Sequence, residues 1–341
     1  MNKKVLAILD GEARYAQGLM EYLSEKESLP FRVHIFTDRS RFNSFDGKDE
    51  IECLLVSESV YDEGIDQNNI PHLIILSESG KILEDTVHHI NKYQSCENIY
   101  REVIKYYAEN GEYPLSSLRK NGKRIKVIGI YTPIGRCLQT TFAFTLGQIL
   151  SRKGKTLYMN FEQYSGFSRM LRKEFDSDIS DLMYYFECAR EKLVYRIESM
   201  VETINGLDFI PPAQIYQNLA GIKGDQWIEL FREMERSTEY EYLILDMTDG
   251  MLDLWEVLRF CDIVYTISRN DAFALAKIEQ YEKALTRAEY ADVLEKTKKC
   301  KLPIFQNLPQ NFEELTHSEL ASFLKERIVP DIERMGISDY A

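Results

Sequence analysis

The chain has 341 residues, with 42 Lys and Arg against 55 Asp and Glu, so its formal net charge is −13 at pH 7. That acidity argues against wrapping nucleic acid, where affinity comes from neutralising phosphates, and against polybasic attachment to anionic lipid. Hydrophobic residues at 44% and charged residues at 28% are globular values and exclude a disordered chain.

The chain opens MNKKVLAILDGE; Asp10 and Glu12 end its apolar run too early for a signal segment. Apolar runs at 5–9, 31–36, 53–56, 73–76 and, more weakly, 87–90 predict five strands, with helices near 13–25 and 97–109. In the second helix Ile99, Val103, Ile104 and Tyr107 recur at a spacing that makes one apolar face. Alternating strands and helices predict a parallel sheet covered on both faces, here in a flavodoxin-like order. The connection from Ser79 to Val87 is shorter than the roughly 10–12 residues that a parallel crossover needs, so no full fourth helix is expected. The polar stretch AENGEYPLSSLRKNGKR, with Gly111, Pro114 and Gly122, reads as a linker. It divides the chain into 1–110, a linker at 111–123, and 124–341.

The second part repeats the α/β pattern, so the fold class is two doubly wound domains. Strands are predicted at 126–131, 156–161, 207–210, 242–246, 263–268 and 302–305. Helices are predicted at 140–153, 224–237, 271–287 and 317–335. Lys296, Lys298, Lys299 and Lys301 read as a solvated helix end. The last helix puts Leu320, Phe323, Leu324 and Ile328 on one face. Pro330 and several acids argue that this face packs on its own domain rather than on lipid. No stretch reaches the ~18 apolar residues of a membrane span, so no integral membrane segment is expected. The six cysteines form no CxxC pair, which predicts neither a zinc site nor disulfides and suits a cytoplasmic protein.

The most informative segment is 126–141, a strand, a turn and a helix that opens on Thr140 and Thr141. That is the setting of a phosphate-binding loop, which needs inward N–H groups, a lysine for the phosphates and a Ser/Thr for Mg²⁺. The segment resembles the deviant Walker A loop of the MinD/ParA ATPase family, KGGxGKTT. Laid on that pattern, Gly135, Thr140 and Thr141 match. Ile134 and Gln139 stand where the family has lysines, and Arg136 and Leu138 where it has glycines. Asn160 and Glu162 fall where the family usually has Asp-x-Asp. Asp246 resembles the Walker B aspartate, followed by Asp249 and Gly250 at the place of the second switch.

An N-terminal receiver-like domain joined to a MinD-like domain is the layout of TadZ/CpaE proteins, and the chain resembles them along essentially its whole length. On the receiver pattern the site positions are Asp10 (with Glu12 nearby), Ser57 at the phosphoacceptor place, Ser77 and Lys92. A serine cannot form the reactive acyl phosphate. Glu58, one residue on, is expected to point elsewhere, and Asp10 and Lys92 are then expected to be ordinary surface charges.

The resemblance implies ATP and Mg²⁺ as ligands. The remnant nucleotide site is Gly135, Arg136, Gln139, Thr140, Thr141, Asn160 and Asp246, with Thr140 and Asp246 toward the metal. Losing the lysine charge at Gln139 removes about 4 kcal/mol of attraction at an effective dielectric near 20. Side chains at Arg136 and Leu138 cost roughly 1–2 kcal/mol each if the backbone turns left-handed. No catalytic residue is assigned, and ATP hydrolysis is expected to be lost. With these losses, the resemblance implies a non-catalytic or weakly nucleotide-binding factor that places a Tad-type pilus or secretion apparatus at a cell site. It would be recruited to a pole or the inner membrane face through protein partners. An apolar loop at Ile134, Cys137 and Leu138 is expected to be exposed and to favour a homodimer formed without nucleotide. The alternative is an active ATP-binding ATPase with a rewired phosphate loop.

Overall fold

Branched apolar residues at consecutive positions favour strands that are buried on both faces, and both sheets of this chain are built from them. The computed structural model describes residues 4–26, 29–62, 65, 70–80, 86–110 and 124–334. It divides into two compact units, Met1–Leu118 with Val194–Ser199, and Arg119–Leu193 with Met200–Ala341. The expected linker at 111–123 lies outside the described residues, as does most of the short connection before the fifth strand.

In the first unit the strands are β1 (Lys4–Leu9), β2 (Phe31–Phe36), β3 (Ile51–Ser57), β4 (His72–Ser77) and β5 (His88–Asn91). They pair in parallel in the order β2-β1-β3-β4-β5, the flavodoxin-like order. Side chains alternate across the sheet. Leu6, Ile8, Cys53 and Leu55 join one core with Ala16 and Leu19 of helix Ala13–Ser24 and Ile99 and Val103 of helix Cys96–Asn110. Val5, Ala7, Leu54 and Val56 join the other, with Phe36 and Phe42. Helix Leu193–Met200 brings Tyr195 into the first core, and the Tyr100 hydroxyl donates to Glu198 at 2.8 Å.

In the second unit the strands are β6 (Lys126–Ile130), β7 (Thr156–Asn160), β8 (Glu202–Ile204), β9 (Leu207–Ile210), β10 (Tyr242–Asp246), β11 (Ile263–Ser268) and β12 (Thr297–Lys301). The order is β12-β11-β6-β10-β7-β9-β8, parallel except for β8 against β9. Helix Gln139–Leu150 packs closely enough that a Cβ on Gly147 would come within 2.7 Å of Leu207. Its Phe144 ring meets Tyr158, Phe209 and Phe312. Helix Gly224–Ser237 buries Trp227, Leu230, Phe231 and Met234, and Trp227 lies edge-on to Phe161.

Three sequence expectations are corrected. The last strand is Thr297–Lys301 rather than 302–305, where Pro303 has no N–H for a ladder. Lys298, Lys299 and Lys301 are therefore in this edge strand, and only Lys296 lies at a helix end, as the C-cap of helix Ala291–Glu295. Lys298 pairs with Asp331 and Lys299 with Glu282, and charged side chains of this kind keep an edge from pairing with another chain. The C-terminal helix is two helices, Glu319–Arg327 and Val329–Arg334, with Pro330 in the first turn of the second, where a missing N–H costs little. Its Leu320, Leu324, Ile328 and Ile332 are buried in the core of the second unit. Strand β8 was not expected, although Asn205-Gly206, both at positive φ (52° and 82°), is a hairpin-turn signal. Among the described residues no helix is long and apolar enough to cross a membrane.

Phe144→Ala empties the centre of this aromatic cluster. It is expected to cost about 3–5 kcal/mol, read as a lower urea midpoint at unchanged slope; a loss under about 1 kcal/mol would show that the cluster is not a stabilising core.

Candidate functional site

The loop after β6 is tied down from both sides. The Thr132 hydroxyl donates to the Ile267 carbonyl at 2.7 Å and accepts from the Ile134 N–H at 3.3 Å. Ile134 is buried against Ala274 and Ile278 of helix Ala272–Arg287. Cys137 is buried too, its thiol on the Ile134 carbonyl at 3.2 Å. The exposed apolar loop expected from the sequence is thus reduced to Leu138, because a helix distant in sequence covers Ile134 and the core of the second unit takes in Cys137. Arg136 and Leu138 have φ of 56° and 67°, with Cys137 between them outside that region. Alternating handedness of this kind turns successive N–H groups toward one side, the geometry of an anion-binding nest. Here it is held by two non-glycine residues at about 1–2 kcal/mol each. Gly135 is not at positive φ, and a Cβ added there would meet nothing within 4 Å.

Asp246 ends the central strand β10, in register with Ile130 of β6 and Asn160 of β7. Its carboxylate is fully buried. One oxygen accepts from Gln139 Nε2 at 2.6 Å; the other accepts from the Tyr158 hydroxyl at 2.8 Å and Asn160 Nδ2 at 3.0 Å. Gln139 Nε2 also donates to the Met247 carbonyl at 2.8 Å, and Asn160 Oδ1 accepts from the Glu162 N–H at 2.9 Å. Burial, and then the nearby Glu162, push the Asp246 pKa up to about 7 against the pull of the Gln139, Tyr158 and Thr140 hydrogen bonds. Burial also raises Glu162, which Thr140 and Asn160 oppose.

The structure therefore gathers Gln139, Thr140, Asn160 and Asp246. Arg136 is exposed and makes no ion pair among the described residues, and the carbonyl of Thr141 accepts from Thr145 at 2.6 Å within its own helix, outside the cluster. Tyr158 was missed; it sits two positions before Asn160 on β7, and alternate residues of a strand share a face. A carboxylate that helps hold Mg²⁺ must be ionised and keep lone pairs for the metal or its waters. Here both oxygens are occupied and the burial favours the proton. The amide of Gln139 neutralises no phosphate charge. As arranged here, these residues do not fit Mg²⁺-bound ATP.

In the first unit the expectation for Asp10 and Lys92 is corrected, since neither is a surface charge. Both are fully buried, with Lys92 Nζ 2.9 Å from Asp10, 2.8 Å from Glu12 and 2.9 Å from Glu78. Burial works against the Lys92 charge, but the three carboxylates outweigh it and raise the pKa. Ser57 is buried with its hydroxyl 3.2 Å from that of Ser59. Glu58 does not point away. Its carboxylate accepts from the Ser77 hydroxyl at 3.0 Å, the Glu78 N–H at 2.6 Å, and the Ser79 N–H at 2.9 Å and hydroxyl at 2.5 Å. Those hydrogen bonds, the Ser79 hydroxyl first, hold its pKa down to about 2. Strand periodicity did not reveal this, because Glu58 lies just beyond β3, where the chain is free to turn.

No family model matches the chain, and no curated protein matches it in sequence. Among solved structures it is similar to a plasmid partition protein from Borrelia burgdorferi, at 17% identity and a TM-score of 0.42, over 60% of this chain and 100% of that one. It is similar to the MinD cell division protein of Aquifex aeolicus at 16% and 0.40, over 59% of this chain and 77% of that one. A ParA family ATPase from Chlorobium tepidum stands at 15% and 0.44, over 57% and 79%.

The raised Asp246 pKa has a definite sign. Between about pH 4 and pH 7 the folded state keeps a proton that the unfolded chain has released. The resulting stabilisation is full below pH 4 and is lost as the pH rises through 7. Wild type is expected to lose urea stability between pH 5 and pH 8 relative to Asp246→Asn; a difference that does not change with pH would mean Asp246 titrates normally. Lys92→Met strips the buried Asp10 of its cation and is expected to cost roughly 3–5 kcal/mol, most of it recovered when Asp10→Asn is added. Thermal melting of the single and double variants checks this.

Proposed function

We propose that this chain is a non-catalytic relative of the MinD/ParA ATPases joined to a receiver-like unit that takes no phosphate. In this reading it acts as a localisation or assembly factor of the TadZ/CpaE kind. It recruits a Tad-type pilus or secretion apparatus to a cell site, with the receiver-like unit at 1–110, a linker at 111–123 and the ATPase-like unit at 124–341. The observation that carries the reading is the Asp246 cluster. Gln139, Tyr158 and Asn160 supply from within the chain the hydrogen bonds that a metal and nucleotide would otherwise satisfy. A site satisfied internally holds its shape without ligand. The same logic applies where Lys92 meets three carboxylates beside Ser57.

A working surface remains at the carboxyl edge of the second sheet. Leu138, Tyr164, Leu252, Phe273 and Ile304 come after β6, β7, β10, β11 and β12 in turn, and each is exposed, Ile304 by 97%. Exposed apolar groups favour burial against another protein at roughly 25 cal/mol per Å², which requires no nucleotide. The proposal is a homodimer, or a complex with the secretion machinery, that forms whether or not ATP is present. A second reading, an ATP-binding protein with a rewired loop, is favoured by the left-handed Arg136 and Leu138, whose nest of N–H groups suits an anion.

Calorimetry with ATP and Mg²⁺, phosphate release, and light scattering after size exclusion separate the two. No binding tighter than about 1 mM, no turnover above background and a nucleotide-independent dimer are expected. Turnover that vanishes in Asp246→Ala, or a monomer that dimerises only with ATP, would establish the second reading. A Tad-type secretion ATPase encoded beside this chain is the expectation of the pathway assignment.

A further inference from the structure

Beside the phosphate-type loop, whose Pro133 lines it, the second unit holds a cavity of about 610 Å³ between helix Leu254–Phe260 and helix Ala272–Arg287. That is the size of a small-molecule site. Two aromatic pairs wall it. Tyr131 and Tyr281 stand with ring centroids 5.2 Å apart, and Trp255 and Tyr290 stand 5.5 Å apart and edge-on. The Tyr281 side chain is 7% exposed, and its hydroxyl has no hydrogen-bond partner among the described residues. Buried hydroxyls are nearly always bonded, so this oxygen has an acceptor position to fill. By contrast, the Tyr131 hydroxyl is spoken for by Asp249, and that of Tyr290 by Glu256 at 2.6 Å.

The charge of the lining selects the ligand. Asp249 and Asp253 bring two carboxylates and Lys277 one ammonium, so the lining is net negative. Arg259 stacks on Tyr290 at 4.0 Å but is neutralised by Asp292, with Nε 2.8 Å from that carboxylate. Aromatic faces carry negative potential and attract cations, and carboxylates at the rim add to it. An anion would meet two carboxylates against one ammonium. A neutral ring would gain nothing from their charge. A protonated amine answers all three features: its charge lies against the rings and carboxylates, and its N–H donates to the Tyr281 oxygen.

We propose that this cavity binds an organic ammonium cation, either a free amine or a lysine side chain presented by a partner protein.

The test titrates the full chain with benzylammonium, benzyl alcohol and benzoate, which share one ring and differ in charge. Calorimetry is read beside tryptophan emission. Trp255 forms part of the wall, whereas Trp227, the other tryptophan, is 1% exposed in the core. Saturable binding of benzylammonium is expected, at least about 10-fold weaker for benzyl alcohol and absent for benzoate. Asp249→Asn and Asp253→Asn keep an oxygen for Tyr131 and for the Gly224 N–H but lose the charge, and each is expected to weaken binding about 5-fold. Tyr281→Phe weakens it by a similar factor, and Lys277→Ala strengthens it by removing the competing cation. Unchanged melting temperatures of these variants keep the comparison free of folding defects. Nα-acetyl-lysine amide binding as tightly as benzylammonium points to a partner's lysine; clearly weaker binding points to a free amine. Benzoate or benzyl alcohol binding as tightly as the amine, no saturation with the amine, or binding unmoved in Asp253→Asn and Tyr281→Phe, overturns the proposal.

Discussion

The arrangement of the second unit turns on one carboxylate that water does not reach. Asp246 lies at the end of the central strand with no cation paired to it among the described residues, so its cost of burial must be met by hydrogen bonds. Those bonds come from two segments. Gln139 opens the helix after β6, while Tyr158 and Asn160 share one face of β7. Gln139 and Asn160 are each fixed by a further contact, on the Met247 carbonyl and the Glu162 N–H. Through Gln139 this network also ties the end of the phosphate-type loop to β10.

The first unit resolves a similar problem with the opposite sign. There the costly group is the ammonium of Lys92, and Asp10, Glu12 and Glu78 surround it. At the neighbouring strand ends, Glu58 gathers hydroxyl and N–H donors from Ser77, Glu78 and Ser79. A buried ion pair adds little net stability over apolar packing, yet removing one partner is expensive. Such clusters therefore hold a geometry in place more than they strengthen the fold.

Strain marks the loop that the network ties to β10. Arg136 and Leu138 remain left-handed without glycine, and surrounding structure has to over-determine such a conformation. The anchors are visible. Thr132 binds β11, Ile134 is buried under helix Ala272–Arg287, and the Leu138 carbonyl receives the first helical bond from Phe142 at 2.8 Å. The side chains left over at the carboxyl edge, Leu138 and Phe273 among them, are the apolar groups available for a protein partner.

The sequence by itself determined the class and every strand except the edge strands β8 and β12. Runs such as CLLV and YLILD are apolar on both faces, which only a covered parallel sheet accommodates, and their spacing leaves room for the helices between them. It also located the loop, because a strand, a turn and a helix opening on two threonines form a local pattern, whereas Gln139, Asn160 and Asp246 came only from the resemblance to the MinD/ParA pattern. The tertiary structure alone decided which charges are buried and which apolar side chains are exposed. Lys92 reads as a surface lysine until Asp10, Glu12 and Glu78 close on it, and Ile134 reads as exposed until helix Ala272–Arg287 covers it. Burial and hydrogen bonding depend on partners far apart in the chain. Periodicity reports only the local backbone, so it cannot say which distant group a side chain meets.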